Sequence, residues 1–285
     1  MKKYYVLFNP YSGNGKGEEY ARKLNSILND ELIYFSMPKI TDFKKFLSMT
    51  KGEDIIICGG DGTLNYFINH TDGIKYKNNI LYYSTGSGND FYNDVFKGKG
   101  EGPHLINEYL KDLPTVIVKG KEYKFINGIG YGIDGYCCEM GDLHRKKSTK
   151  PVNYTKIALK GLLYDYKPTN AIATVDSVKH AYKKVWLAST MNGRYYGGGM
   201  MIAPYQNRLN SDRSLTVVVL HGMIKLKVLT AFATVFKGEH IRFKKIVDLY
   251  TAHEVKVEFD RPVALQIDGE TILGVTEYTV KSNKK

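Results

Sequence analysis

A glycine-rich stretch that carries one carboxylate offers the clearest chemistry in this sequence. An apolar run at residues 55–58 leads directly into Gly59-Gly60-Asp61-Gly62-Thr63-Leu64-Asn65. Because glycine has no Cβ atom, the backbone here can take positive φ angles and bring its N–H groups close to an anion. A helix that begins at Leu64 would direct the positive end of its dipole toward the same point. The stretch is therefore typical of a loop that holds phosphate groups.

Asp61 is the unexpected residue of this loop. A carboxylate repels a phosphate group unless Mg²⁺ or a transferring proton lies between them. We therefore interpret Asp61 as a sign of nucleotide chemistry rather than of passive anion binding. The alternative is a tight Asp-Gly turn whose carboxylate is only hydrated.

Two further loops repeat this chemistry. Residues 9–17, Asn-Pro-Tyr-Ser-Gly-Asn-Gly-Lys-Gly, follow the first apolar run and offer backbone N–H groups and Lys16 to a phosphate. Their spacing matches neither a Walker A loop nor the Gly-x-Gly-x-x-Gly dinucleotide fingerprint. Residues 84–91, Ser-Thr-Gly-Ser-Gly-Asn-Asp-Phe, again combine small hydroxyls, glycines and one aspartate. Three such loops in one chain indicate a shared phosphate site.

The elements that must position these loops alternate between strand and helix. Apolar runs predict strands at residues 4–8, 32–35, 54–58 and 80–83, with helices at 18–28, 42–49 and 64–69. This alternation predicts a parallel sheet with helices on both faces. Thr41 is a candidate N-cap of the second helix. The glycine loops follow strands, at the edge where open α/β sheets bind ligands.

The pattern changes near Thr115, where strand signals replace the alternation. A hairpin is predicted at residues 116–126, and further strands at 171–178, 181–191, 215–220, 255–259, 264–267 and 276–280. We therefore predict two domains: an α/β domain with a parallel sheet over residues 1–115, and an all-β, mainly antiparallel domain over residues 116–285. Two helices interrupt the later strands, with apolar faces that we interpret as core: Tyr154, Ile157, Ala158, Gly161 and Leu162 on one, and Val228, Phe232, Val235 and Phe236 on the other.

The balance of charge implies an anionic partner. The 285 residues carry a formal net charge of +12, which suits a nucleotide, a nucleic acid or an acidic membrane surface. The lysines are spread along the chain without a nucleic-acid-binding motif, so we expect no nucleic acid partner. The densest basic cluster, residues 144–147 with Lys150, Lys156 and Lys160, is interpreted as a solvated helix face, with a lipid-surface patch as the alternative.

Composition also limits the class of protein. No apolar run approaches the roughly 18 residues that a membrane span requires, so we expect no transmembrane segment. Three cysteines cannot build a disulfide framework, which favours a reducing cytoplasm. The seven histidines show no zinc-ligand spacing.

Taken together, the motifs are specific enough to indicate a family. Asn-Pro-x-Ser-Gly at residues 9–13, Gly-Gly-Asp-Gly-Thr-Leu-Asn at 59–65 and Gly-x-Gly-Asn-Asp-Phe at 86–91 resemble the catalytic domain of the diacylglycerol kinase family. The chain is most similar to the soluble bacterial lipid kinases, in which a nucleotide-binding α/β domain precedes a β-sandwich lipid domain and the active site lies in the cleft. Further stretches resemble that family's later motifs, in the same order, at residues 196–204, 237–240 and 266–270.

The resemblance implies transfer of the γ-phosphoryl group of ATP to a lipid hydroxyl, with a phosphatidic-acid-type product. It implies ATP and Mg²⁺ as cofactors, with Asp61 and Asp90 organising phosphate and metal. Glu270 matches the residue that takes the proton from the attacking hydroxyl, with Asp268 beside it. The alternative for residues 268–270 is a plain hairpin turn, which Asp-Gly favours. By the same resemblance the nucleotide would be contacted by Asn9, Pro10, Ser12, Gly13, Lys16, Thr41, Gly59, Gly60, Asp61, Gly62, Thr63, Asn65, Ser87, Asn89 and Asp90.

The chain departs from the family pattern at two places. Ser84 and Ser87 stand where the family usually has proline and threonine, a change that keeps a hydroxyl but loosens the turn. A second metal-binding loop, in which acidic residues precede a glycine, corresponds to Asn-Ser-Asp-Arg-Ser at residues 210–214. It keeps Asp212 as a metal candidate and loses one carboxylate and the glycine. We hypothesise that Arg213 supplies the positive charge there instead.

The sequence therefore predicts an ATP-dependent lipid kinase that is cytoplasmic and meets its lipid substrate at the inner face of the membrane. There are two alternatives. An NAD kinase also carries a Gly-Gly-Asp-Gly-Thr loop, and a catalytically silent lipid or nucleotide sensor would explain the altered third loop. The sequence leaves open which lipid is phosphorylated, and whether the chain is a monomer or a homodimer.

Overall fold

The computed structural model describes residues 1–148, 150, 152–222 and 225–283, and it divides the chain into two compact units, Met1–Lys111 and Asp112–Lys285. Each unit has its own sheet and its own apolar core. Among the described residues, no helix is both long enough and apolar enough to span a membrane.

The first unit alternates strands and helices around a five-stranded sheet. In chain order its elements are β1 (Lys3–Phe8), α1 (Ser12–Gly15), α2 (Gly17–Arg22), β2 (Glu31–Ser36), α3 (Phe43–Met49), β3 (Asp54–Gly59), α4 (Asp61–His70), β4 (Ile80–Ser84), α5 (Asp90–Val95) and β5 (His104–Leu105). The strand order is β2-β1-β3-β4-β5, with the first four strands parallel and β5 antiparallel. The predicted parallel sheet is confirmed, with one short antiparallel strand added at an edge.

Burial explains why the central strands are continuous apolar runs. All six residues of β3 are buried, and so are five of the six in β1, as expected for strands covered on both faces. Because β1, β3 and β4 are parallel neighbours, the loops that follow them leave the sheet at the same edge. The sheet thereby brings the three glycine loops into one row.

Two helices of this unit differ in extent from the prediction. Helix α4 begins at Asp61 rather than at Leu64, so Asp61 lies in its first turn. The helix predicted over residues 18–28 is shorter: α2 passes into a 3₁₀ turn, Lys23–Ser26.

The predicted N-cap of α3 is wrong. Asp42, not Thr41, caps this helix, and its carboxylate accepts a hydrogen bond from the Lys45 N–H at 2.9 Å. Asp42 stands three residues before that donor, which is the spacing an N-cap needs, and its charge suits the positive end of the helix dipole.

The second unit is mainly antiparallel. Its elements are β6 (Thr115–Val118), β7 (Lys121–Lys124), β8 (Gly128–Gly132), α6 (Ile133–Lys147), α7 (Tyr154–Lys160), a π-helical turn (Gly161–Asp165), β9 (Thr169–Val175), β10 (Val178–Val185), β11 (Leu187–Met191), β12 (Leu215–Leu220), α8 (Lys225–Val235), β13 (Val247–Ala252), β14 (Glu254–Ile267) and β15 (Glu270–Lys281). The strand order is β13-β12-β11-β8-β14-β15-β6-β7, and β9 pairs with both β14 and β10. The predicted antiparallel domain is confirmed.

Strand β14 organises this sheet. It joins two stretches that were predicted as separate strands, residues 255–259 and 264–267. The first stretch pairs with β9 and the second with β8, and the register against β15 shifts between Glu258 and Val263. One long, irregular strand therefore connects two parts of the sheet.

Three elements of the second unit, β8, α6 and β13, were not predicted. Three of the five residues of β8 are glycine, which has low strand propensity, yet every residue of the strand is buried. Tertiary packing rather than local preference therefore determines β8. The predicted core faces are confirmed for Ala158, Leu162, Val228 and Val235, which are all buried. They are wrong for Tyr154 and Phe236, which are 39% and 42% exposed and lie at the start of α7 and just after α8.

The cap at α3 gives a stability prediction. Asp42→Ala removes the acceptor of the Lys45 N–H and should lower the free energy of unfolding by about 1 kcal/mol. Urea unfolding followed by circular dichroism measures the change. Thr41→Ala is the matched control and should leave stability unchanged. A larger loss for Thr41→Ala than for Asp42→Ala would contradict the observed cap.

Candidate functional site

The second and third glycine loops of the first unit are in direct contact. The Thr85 N–H donates to the Gly59 carbonyl at 2.9 Å. A Cβ atom added to Gly60 would lie 3.1 Å from the Gly86 Cα, and one added to Gly86 would overlap Gly60. These glycines are therefore needed so that the two loops can approach each other.

The sequence predicted positive φ angles at the glycines of the second loop, and this prediction is wrong. Gly59, Gly60 and Gly62 do not adopt them, and Gly60 is extended, with φ −97° and ψ −168°. Within the second and third loops, the residue with left-handed backbone is Asn89, with a φ of 52°, immediately before α5; in the first loop Gly13 and Gly15 have positive φ angles of 56° and 83°.

Asp61 connects the two loops. One carboxylate oxygen accepts from the Asp90 N–H and the other from the Phe91 N–H, both at 2.9 Å. These donors belong to the first turn of α5, which would otherwise leave them without an intrahelical acceptor. The negative charge of Asp61 is thus stabilised by backbone N–H groups. The sequence suggested Mg²⁺ or a transferring proton as the partner of this carboxylate, and the structure adds backbone N–H groups as a third partner.

The third loop contains buried polar atoms that can serve a ligand. The Thr85 hydroxyl and the Asn89 Oδ1 are buried and have no hydrogen-bond partner among the described residues. The Asn89 amide nitrogen meanwhile donates to the Gly86 carbonyl at 2.8 Å, which fixes the side chain. Since an unsatisfied buried polar atom costs about 1–3 kcal/mol, a polar ligand fits this position.

The first glycine loop is held by its own side chains. The Asn9 Oδ1 accepts from the Tyr11 N–H at 3.0 Å, and the Asn9 carbonyl accepts from the Ser12 hydroxyl at 2.8 Å. Lys16 is exposed. The loop therefore leaves a cation available next to a folded turn. Of the other candidates in this unit, Thr41 and Ser87 are exposed, whereas Thr63, Asn65 and Asp90 are buried.

Asp268, in the second unit, forms the turn between β14 and β15. Asp268 and Gly269 have φ angles of 47° and 93°, and Ile267 pairs with Glu270 across the turn. This is the Asp-Gly hairpin that the sequence offered as the alternative to a catalytic group.

The Asp268 side chain is also a buried anchor, 5% exposed. Its carboxylate accepts from the backbone N–H groups of Ile126 at 2.7 Å, Asn127 at 2.8 Å and Gly128 at 3.0 Å. The turn is thereby tied to the start of β8.

Glu270, two residues later, has a different environment. Its residue surface is exposed, but neighbouring protein atoms displace part of the water around the carboxylate and raise its pKa. The Asp142 carboxylate raises the pKa further, whereas the Arg145 guanidinium lowers it. A carboxylate with a raised pKa is a stronger proton acceptor once it is ionised.

Arg208 is a buried residue that the sequence did not single out. Its guanidinium donates to the Ile126 carbonyl and, at 2.6 Å, to the Asn127 side-chain oxygen. It therefore binds the same segment whose N–H groups bind Asp268. Nothing in the local sequence distinguishes it from a solvated loop arginine, because its partners are 82 and 81 residues away.

Arg213, which was expected to carry the positive charge, pairs with Asp112 at 3.4 Å. The neighbouring Asp212 is exposed and accepts from the Ser214 hydroxyl at 2.9 Å. Among the described residues, no group of three or more His, Cys, Asp or Glu side chains is arranged to hold a metal ion. Mg²⁺ bound together with a nucleotide needs only one or two protein carboxylates, since phosphates and waters complete its shell.

Comparison with known proteins identifies both units. A family model described as the diacylglycerol kinase catalytic domain matches residues 3–119, and a model described as the YegS C-terminal NAD kinase beta sandwich-like domain matches residues 127–281. The chain is 23% identical to a putative lipid kinase, YtlR, of Bacillus subtilis, over 80% of this chain and 77% of that protein. It is 24% identical to a diacylglycerol kinase of Mycobacterium tuberculosis, over 85% of this chain and 80% of that protein.

Solved structures agree on the fold. The chain is similar to the crystal structure of a putative diacylglycerol kinase from Bacillus anthracis, with a TM-score of 0.66 and 16% identity, over 99% of this chain and 93% of that one.

The Asp268 anchor gives a prediction for the second unit. Asp268→Asn replaces an acceptor-only carboxylate by an amide that leaves some of the three N–H groups unsatisfied, and should cost about 2–3 kcal/mol of stability. Urea unfolding followed by the fluorescence of Trp186, the single tryptophan and a buried residue of this unit, reports the change.

The exposed Asp260 provides the control, since Asp260→Asn should change the unfolding free energy by less than about 0.5 kcal/mol. Equal effects of the two substitutions would contradict the anchoring role of Asp268.

Proposed function

The chain belongs to the diacylglycerol kinase catalytic-domain family, carrying that domain ahead of a YegS-type C-terminal domain, and we propose that it is an ATP-dependent kinase that phosphorylates a lipid hydroxyl. The observation that carries this proposal is the row of glycine loops at one edge of the first sheet. There the Thr85 hydroxyl and the Asn89 Oδ1 are buried without a partner among the described residues. A nucleotide phosphate chain and its metal would satisfy such atoms.

The nucleotide side of the proposed reaction belongs to the first unit. Asp61 and Asp90 would hold Mg²⁺, which neutralises charge on the transferring phosphoryl group. Lys16 supplies a point charge to the phosphates. The other contacts proposed for ATP are Asn9, Pro10, Ser12, Gly13, Thr41, Gly59, Gly60, Gly62, Thr63, Asn65, Ser87 and Asn89.

Glu270 is the proposed general base. It accepts the proton of the lipid hydroxyl while that oxygen forms a bond to the γ-phosphorus and the bond between this phosphorus and the β–γ bridging oxygen breaks, which releases ADP. Asp268 was a candidate for the same role. Because its carboxylate accepts three backbone N–H groups, we assign it to holding the turn that carries Glu270.

The lipid itself is part of the proposal. Relatives named diacylglycerol kinase support diacylglycerol or a related lipid as substrate, and a phosphatidic-acid-type product. Such a substrate would be met at the inner face of the membrane.

Transfer of labelled γ-phosphate from ATP to a panel of lipids tests the function. We expect label in a phospholipid product identified by mass. Label in NADP when NAD is supplied, with none in lipid, would instead show an NAD kinase. Retained ATP binding without transfer to any acceptor would show a silent sensor. Either result would overturn the proposal.

Glu270→Gln should lower kcat by about 10²–10⁴-fold, because the amide cannot accept the proton. Since Glu270 is exposed, the unfolding free energy should stay nearly unchanged. Glu254→Gln, at another exposed glutamate of the same sheet, is the control and should retain activity. Near-normal turnover of Glu270→Gln would exclude Glu270 as the base.

The pH dependence provides a separate prediction. The ionised form of Glu270 is required, so kcat/KM should fall as the pH drops through a pKa that lies above the ordinary glutamate value. Arg145→Gln removes a charge that lowers this pKa and should move the acid limb to higher pH. Asp142→Asn removes a charge that raises the pKa and should move the limb to lower pH. An acid limb that is the same in both variants would contradict the assignment.

A further inference from the structure

A groove on the first unit lies at the end of the sheet opposite the glycine loops. It forms where α3 leads into β3 and where α4 leads into β4, so it adjoins the starts of two strands whose ends carry the second and third glycine loops. Since β3 has six residues and a strand rises about 3.3 Å per residue, roughly 17 Å separates the two ends of the sheet. The groove has a volume of about 570 Å³, which is the size of a small-molecule site.

Four lysines line this feature, which we call the lysine groove. Lys44 belongs to α3, Lys51 to the turn after it, and Lys75 and Lys77 to the turn before β4. All four are exposed, and none of them forms an ion pair with another residue in the described part of the chain. Four cations therefore surround one cavity without an acidic partner.

Neighbouring carboxylates do not enter the groove. Glu53 and Asp72 are the acidic residues nearest to it in the sequence, and neither lines it. The Glu53 Oε2 instead lies 3.9 Å from the Lys3 ammonium. The charge inside the groove is therefore positive and suits an anion.

The two turns that carry the lysines are fixed to each other. The Asn78 amide nitrogen donates to the Thr50 hydroxyl oxygen at 2.8 Å, and this hydroxyl donates to the Leu47 carbonyl at 2.7 Å. Both side chains are buried. The chain reverses at Gly52 and Gly73, whose φ angles are 82° and 73°. The walls of the groove are therefore formed before a ligand binds, which lowers the entropic cost of binding.

The groove also has an apolar side. Leu47 is buried, and Ile74 and Tyr76 are half-buried. The Tyr76 ring packs edge-on against Phe67, with 6.4 Å between the ring centroids, which restricts its movement. An inorganic anion would use the lysines and leave this side without a partner. A ligand that fits the whole groove therefore has an apolar part as well as a charge.

We propose that the lysine groove binds a small phosphate ester that carries a flat ring. The phosphate would meet the lysine ammonium groups, and the ring would lie against Tyr76. The cations that line the groove are all lysines, which bind phosphate as point charges, whereas the planar guanidinium of arginine is better matched to a carboxylate. A concave site of this size fits a small molecule rather than the long backbone of a nucleic acid.

This inference goes beyond the proposed function and does not rest on it. The groove and the glycine loops lie at opposite ends of the same strands, so both could be occupied at once. Binding to the groove requires no turnover. A failure of the kinase proposal and a failure of the groove proposal are therefore distinguishable.

Titration of the whole chain with phenyl phosphate, followed by ¹H–¹⁵N NMR, tests the site. We expect saturable shifts of the amides of residues 51–52 and 73–78, at concentrations below those that shift residues 59–65. Inorganic phosphate should shift the same amides with about fivefold lower affinity, because it lacks the ring.

Variants separate the charge from the ring. Combined Lys75→Gln and Lys77→Gln should weaken phenyl phosphate binding about tenfold, because two of the four cations are lost. Combined Lys97→Gln and Lys99→Gln, at two exposed lysines of the same unit with the same spacing, is the matched control and should keep the affinity. Tyr76→Leu should reduce the affinity for phenyl phosphate to that for inorganic phosphate. Circular dichroism and thermal unfolding verify that each variant is folded.

Three results would overturn the proposal. One is the absence of saturable binding, or an equal loss of affinity in the groove variant and its control. Another is a set of shifts confined to residues 59–65 and 84–91 and abolished by Lys16→Gln, which would place the anion at the glycine loops. The third is a response of the groove to an oligonucleotide but not to phenyl phosphate, which would indicate a nucleic acid site.

Discussion

The Asp268 carboxylate, enclosed by three backbone N–H groups, is the interaction on which the arrangement of the second unit's candidate residues depends. It joins the tip of the β14–β15 hairpin to the start of β8, more than 100 residues earlier in the chain. Hydrogen bonds to an ionised acceptor are stronger than neutral ones, and a buried carboxylate needs them. Glu270 gains its position from this anchor, since it is the first residue of β15. Arg208 reinforces the arrangement by donating to the Ile126 carbonyl and to the Asn127 side-chain oxygen.

In the first unit, too, a carboxylate that accepts backbone N–H groups joins two segments of the chain. Asp61 accepts two N–H groups from the start of α5 and so joins the second glycine loop to the third. The close approach of Gly60 and Gly86 then requires glycine at both positions. The glycine loop at residues 59–65 was interpreted from the sequence only as a phosphate-binding motif, and the structure shows that its glycine is also needed for the two loops to pack. In both units a carboxylate accepts backbone N–H groups and holds a loop in place. Asp61 is in addition proposed to hold Mg²⁺, whereas Asp268 is given the structural role alone.

Much of this organisation could be predicted from the sequence, because local patterns encode it. Apolar runs that alternate with helical segments predicted the parallel sheet, and the succession of strand signals after Thr115 predicted the antiparallel one. Features that depend on distant contacts could not be predicted. The glycine-rich strand β8 forms because its neighbours bury it, and Arg208 acquires its role only from partners far along the chain. The same limit applies to Asp268, whose Asp-Gly turn was visible but whose three donors were not. The apolar face predicted on α7 is only partly buried, because Tyr154 at the start of the helix is 39% exposed, and the sequence spacing did not show this.

Asp61 and Asp268 are therefore assigned to holding the backbone, and Glu270 is the carboxylate proposed to accept a proton. Amide hydrogen exchange in Asp268→Asn tests this separation most directly. The account predicts that residues 126–128 lose protection, whereas the amides of Asp90 and Phe91, which Asp61 accepts, exchange as in the wild-type chain. Unchanged protection at residues 126–128 would contradict the role given to Asp268.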